Sequence, residues 1–95
     1  MATTKDYRDF VLEELKDLEG IECKAMMGEY LLYLNRVLFG GLYDNRFLVK
    51  KTKSLESYKL PTAIPYDGAK EMYEIDIEDE KAKEIIKKAY SDLKK

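Results

Sequence analysis

Histidine is missing altogether, and cysteine occurs once, as Cys23. The first absence removes the commonest general base and the commonest metal ligand. The second rules out an intramolecular disulfide and leaves too few thiolates for a structural zinc site. Nowhere does an apolar run approach the ~18 residues of a membrane span. The first residues lack the basic-then-apolar pattern of a secretory signal. The formal net charge is −2, so there is no overall basic field to draw in nucleic acid. Internal repeats, linkers and low-complexity tracts are absent, as is a glycine-rich, lysine-terminated phosphate loop. These absences lead us to expect a soluble, cytoplasmic protein with no metal, no cofactor, no membrane attachment and no tight direct DNA binding.

What is present suits one folded domain over residues 1–95. A hydrophobic fraction of 45% and a charged fraction of 38% with interleaved signs supply both a core and a solvated surface. Tyr7, Phe10, Val11, Leu15 and Leu18 recur at spacings of three and four, the stripe of an amphipathic helix. Thr3 or Thr4 is its candidate cap and Gly20 its stop. Glu29 to Leu34, Val37 to Tyr43 and Arg46 to Lys51 are rich in aromatic and branched residues, separated only by Asn35-Arg36 and Asp44-Asn45. Asn and Asp tolerate the positive φ of two-residue hairpin turns, so these segments predict a three-stranded meander. Ile21 to Met27 reads as a further strand, with Gly28 as a bulge or bend. Residues 52–59 suit a short helix with Ser54 as its cap, and Pro61 and Pro65 an irregular or edge segment. Met72 to Ile77 reads as a strand. A final helix begins at Asp79-Glu80, with the stripe Ala82, Ile85, Ile86, Ala89, Tyr90 and Leu93, carboxylates at its start and lysines at its end. The class is α+β: an antiparallel sheet of about five strands with N- and C-terminal helices, in two layers.

Few residues offer chemistry. Cys23 is a small apolar residue of a strand; the adjacent Lys24 points to the opposite face and cannot activate it. Asp76, Glu78, Asp79 and Glu80 lack the glycine and spaced oxygens of a calcium loop and fit a strand end leading into a helix start. Gly40-Gly41 within a strand marks a bulge or a close backbone approach. Arg46, Lys50, Lys51 and Lys53 lie near Tyr43, Phe47 and Tyr58, a weak nucleic-acid signal that suits a solvated strand edge better. Met26 and Met27 suit core filling.

Uninterrupted alternation through both hairpins places Tyr30, Leu32, Leu34, Val37, Phe39, Tyr43 and Leu48 on one face, with Arg46 and Lys50. Leu31, Tyr33, Leu38, Leu42, Phe47 and Val49 fall on the other. Both faces are apolar, yet two helices cover only one. The expected interaction surface is Tyr30, Leu32, Phe39 and Leu48 rimmed by Tyr43, Arg46 and Lys50, covered by a second copy of the chain as a homodimer or by a partner protein. A bulge at Gly40-Gly41 would exchange part of this assignment.

Three segments, Ala25 to Tyr30 (AMMGEY), Gly40 to Lys50 (GGLYDNRFLVK) and Pro65 to Lys70 (PYDGAK), occur in this order between the two helices. Together they resemble the N-terminal domain of the TfoX/Sxy family over nearly the whole chain. The resemblance is to stand-alone, single-domain members, and its motif residues are Met26, Met27, Gly28, Glu29, Tyr30, Pro65, Tyr66, Gly68 and Lys70. Better-known members read Met-Phe-Gly-Gly-Tyr-Gly in the first motif, from which Met27, Glu29 and Leu31 depart, and continue into a second, helical domain. The resemblance implies a two-layer fold with the topology of secretion chaperones. It also implies a bacterial, non-enzymatic protein-interaction module related to regulators of natural competence, modulating transcription through a protein partner in the transcription machinery. It supplies no catalytic residues. The alternative is a small-ligand-binding or enzymatic domain whose pocket combines Tyr30, Tyr66, Arg46, Lys50 and Lys70 with Glu29.

Overall fold

The computed structural model describes residues 3–94. Helix α1 (Lys5–Glu14) opens the fold. The strands β1 (Ile21–Met26), β2 (Glu29–Leu34), β3 (Val37–Tyr43) and β4 (Arg46–Val49) follow, then a 3-10 helix (Lys53–Tyr58). Two short strands, β5 (Thr62–Ala63) and β6 (Met72–Glu74), precede the last helix, α2 (Ala82–Leu93). The six strands form one antiparallel sheet in the order β1-β2-β3-β4-β6-β5. The fold is therefore α+β, as composition and periodicity predict, with six strands where about five were expected.

The meander is built by three two-residue turns. Asn35 and Arg36 have φ of 50° and 70°, and Asp44 and Asn45 of 53° and 57°. Both central residues of each turn are left-handed, the geometry whose twist matches paired strands. A third such turn, Met27-Gly28 (φ 49° and 86°), joins β1 to β2 where a bulge or bend was expected.

The bulge lies elsewhere. Leu34 pairs with Val37 and Tyr33 with Leu38, but Leu32 pairs with Gly40, so Phe39 is an extra residue in β3. Gly40 permits this. A Cβ there would lie 2.2 Å from the Leu48 carbonyl oxygen and 3.0 Å from Val49 Cα, inside the neighbouring backbone. Alternation breaks at this point. Tyr30, Leu32, Phe39, Leu42, Phe47 and Val49 all face the helices, where they pack with Val11 of α1, Leu15 just after it, and Ile85, Ile86 and Ala89 of α2. Tyr43 and Leu48 turn to the opposite face.

The first segment is tied down by polar contacts. Thr4 caps α1, its hydroxyl accepting from the Tyr7 amide at 3.1 Å. The Thr3 amide and hydroxyl donate to Glu29 Oε1 at 3.0 and 2.7 Å, and the Asp44 amide donates to the same oxygen at 3.2 Å. Asn45 Oδ1 accepts from the Thr4 amide at 2.9 Å. One carboxylate and one amide side chain thus join α1 to two hairpin turns. At the other end, Asp92 of α2 accepts from the Ser54 amide and hydroxyl, both at 2.8 Å. Ser54 therefore lies inside the 3-10 helix rather than capping it; Thr52 holds the cap position. The acidic run makes local turns: Asp76 accepts from the Glu78 amide and Asp79 from the Lys81 amide. Helix α2 starts after that run, at Ala82. Among the described residues no helix is long and apolar enough to cross a membrane.

Candidate functional site

The face of the sheet away from the helices carries an open groove. Tyr43, Leu48 and Met72 form a small buried cluster there, with Leu31 and Ala63 against it. The chain from Ile64 to Glu71 folds back over this cluster. Pro65 is buried beneath it, and the turn closes through the Ala69 amide to the Tyr66 carbonyl at 3.0 Å. Arg46 straps the segment down, donating to the Tyr43 carbonyl at 3.2 Å and the Ile64 carbonyl at 3.3 Å. Lys51 pairs with Glu71 at 2.6 Å. The Tyr66 ring tilts against Tyr43, with centroids 6.3 Å apart.

This segment covers only part of the face. Between it and the uncovered strands runs a half-open groove of about 600 Å³. Leu31, Leu38, Tyr43 and Met72 make its floor, Met26 lies at one end, Tyr66 and Ala69 form a wall, and Lys50 and Lys70 stand at the rim. Burial, helped by the nearby Tyr66 and Glu29, pushes the Tyr43 phenol above its ordinary range, so it stays a neutral hydroxyl at physiological pH. The hydrogen bond between Lys51 and Glu71 raises the lysine and lowers the carboxyl, keeping both charged. Lys50 and Lys70 form no ion pair with a described residue. The groove therefore offers apolar contact, a phenol and two unneutralised ammonium groups.

The interaction surface expected from strict alternation is split by the bulge. Tyr30, Leu32 and Phe39 belong to the helix-covered core: Leu32 and Phe39 are fully buried, and Tyr30 lies under the Arg8 guanidinium, 5.2 Å from its ring centroid. They present no surface. Tyr43, Leu48 and Lys50 lie on the opposite face, where the chain's own Pro65–Glu71 segment covers the first two. The extra residue Phe39 is the cause, because it shifts every later β3 and β4 side chain by one against β2. The alternative pocket is likewise divided. Tyr66, Lys50 and Lys70 line the groove, but Glu29 holds Thr3, Tyr30 is core, and Arg46 is the strap.

The resembling motifs separate into two roles. Gly28 and Glu29 anchor the start of α1, since the Gly28 carbonyl also accepts from the Thr3 amide. Met26, Pro65, Tyr66 and Lys70 line the groove. Leu31, Leu38, Lys51 and Met72 were not singled out as one site, and the signal for them was the Gly40-Gly41 pair between two apolar strand faces. Cys23 is half-buried on the core face of β1, and burial raises its thiol above the ordinary range. Among the described residues no group of three or more Cys, Asp or Glu could hold a metal ion.

No family model matches the chain. Over 78 residues it is 36% identical to an uncharacterized 12.7 kDa protein in the trpE 5′ region of Spirochaeta aurantia; the match covers 80% of this chain and 68% of that protein. On this extent of shared sequence, the chain belongs to the same family as the Spirochaeta aurantia protein.

Proposed function

We propose that the chain is a non-enzymatic protein-interaction module related to the TfoX/Sxy competence regulators, modulating transcription through a protein partner that docks on the open face of the sheet. The observation that carries this reading is the groove: a half-open apolar floor, a lysine rim, and Tyr66 beside it with 60% of its surface exposed. Open apolar floors edged by tyrosine and methionine, here Tyr66 and Met26, are typical of interfaces. The motif residues Met26, Pro65, Tyr66 and Lys70 meet at this groove, which supports assigning the family's function to it. The net charge of −2 supports contact with a protein rather than with the phosphate backbone itself.

A second reading has one observation in its favour. The volume of about 600 Å³ falls in the ~300–1,000 Å³ range of small-molecule sites, so an amphipathic carboxylate is the competing occupant. Affinity capture with the full chain in the organism that encodes it separates the two, with Tyr66→Ala/Lys70→Glu as the control. The proposal expects RNA polymerase or a transcription activator on the wild type and its loss on the variant. Equal recovery by both proteins, or recovery of neither component, would refute it.

A further inference from the structure

We infer that the occupant of the groove is an extended acidic segment of another protein, with aliphatic or aromatic side chains between its carboxylates. The inference rests on the interaction-module reading above and adds the chemistry of the partner.

Charge is the first argument. The charged residues lining the groove are Lys50, Lys51, Lys70 and Glu71, three cations against one anion, on a molecule whose net charge is −2. Lys51 and Glu71 satisfy each other at 2.6 Å, which leaves Lys50 and Lys70. A purely apolar occupant would press against two ammonium groups and desolvate them without compensation, which is costly. Carboxylates at the ends of an apolar segment remove that cost and add steering.

Shape is the second. The lining residues run from Met26 on β1 across Leu31, Leu38 and the end of β4 to Met72 on β6. In the order β1-β2-β3-β4-β6 this crosses four strand spacings of about 4.8 Å, or roughly 19 Å, the reach of five or six extended residues at about 3.4 Å each. A compact metabolite would leave most of that length empty.

A second copy of this chain does not meet the description. Its acidic stretch carries Asp76, Glu78, Asp79 and Glu80, but the apolar residues among them, Ile75 and Ile77, are buried in its own core. They are not free to enter a groove.

The test is selection of a displayed dodecapeptide library on the full chain, followed by fluorescence anisotropy of the labelled enriched peptides and backbone NMR mapping. The expected peptides carry two or more carboxylates around an aromatic or aliphatic pair, and they perturb Leu31, Leu38 and Tyr66. Their binding should weaken with salt and fall about tenfold or more in Lys50→Glu/Lys70→Glu. That variant should melt with the wild type, since neither lysine forms an ion pair with a described residue. Neutral or basic peptides mapping to the groove would overturn the acidic assignment and leave the interaction reading standing. Enriched peptides that all map elsewhere, or no enrichment, would overturn both. Self-association of the wild type in sedimentation, abolished by the same variant, would make a second copy the occupant and overturn the inference.

Discussion

Replacing Glu29 by alanine is the sharpest perturbation the structure offers. Glu29 Oε1 accepts from the Thr3 amide, the Thr3 hydroxyl and the Asp44 amide at 3.0, 2.7 and 3.2 Å. A hydrogen bond to a charged group contributes about 1.5–3 kcal/mol when well buried. These three converge on one oxygen at a half-buried site, so they share its capacity and are partly screened. The Thr3 amide also keeps the Gly28 carbonyl at 3.0 Å. The Thr3 hydroxyl, on a buried residue, loses its acceptor. We therefore expect a net loss of about 2–3 kcal/mol, against a total near 5–14 kcal/mol for a domain of this length. That corresponds to a fall in Tm of roughly 8–24 °C. Glu29→Gln keeps an acceptor oxygen and should lose about half as much. Urea unfolding measures the totals, and hydrogen exchange at the first turn of α1 and at Asp44 locates the effect. A Glu29→Ala protein within about 0.5 kcal/mol of wild type, the range of an ordinary surface change, would refute the tether. If that protein also lost binding at the groove, Glu29 would be a site residue after all.

Three further outcomes are expected. Gly40→Ala should lose about 3 kcal/mol or more, because its Cβ meets backbone at 2.2 Å and the strands must separate; Gly68→Ala, with φ of 85° and open space around it, should lose only about 1–2 kcal/mol, and thermal melts of the two compare strain with collision. Lys83 lowers Asp17 and Lys51 lowers Glu71, so both carboxyls contribute stability that is complete above the ordinary carboxylate range and lost as pH falls through their depressed folded values; the acid limb of a stability-versus-pH curve should flatten in Asp17→Asn/Glu71→Gln, and an unchanged limb would refute it. Burial raises the Cys23 thiol, so a thiol-disulfide reagent should modify it more slowly than free cysteine at neutral pH and faster only above the ordinary thiol range; a rate exceeding that of free cysteine would contradict this.

Local chemistry made much of the fold legible. Asn35-Arg36 and Asp44-Asn45 announced their turns because few residues accept positive φ, and the buried stripe of α2 followed from spacing, whereas α1 ends at Glu14, before Leu15, Leu18 and the expected stop at Gly20, and leaves Phe10 exposed. The faces of the sheet were less accessible. Both are apolar, so composition could not orient them, and one extra residue at Phe39 reverses everything after it. Lys50, Tyr66 and Lys70 of the expected pocket do line the groove, whereas Arg46, Tyr30 and Glu29 do not. Their actual partners, the Ile64 carbonyl, Arg8 and Thr3, lie 18, 22 and 26 positions away, and periodicity carries no information at that range. The fold-back of Pro65 to Glu71 across the sheet was hidden for the same reason: prolines and glycine mark an irregular segment without saying what it covers.

The three two-residue turns have a kinetic consequence. Strands β1 to β4 meet neighbours only a few residues away, so their pairing needs little loop-closure entropy and can form early. The β5–β6 strip has no such advantage. It reaches β4 only after more than twenty intervening residues and is held by two register pairs on each side. Contacts that are few and late to form are also the first to open in the native state. The wall of the groove, with Met72 at one edge of its floor, thus belongs to the most readily released part of the molecule, and Leu31, Leu38 and Tyr43 of the floor to the most durable, so the groove can widen around an incoming chain while the meander beneath it stays folded.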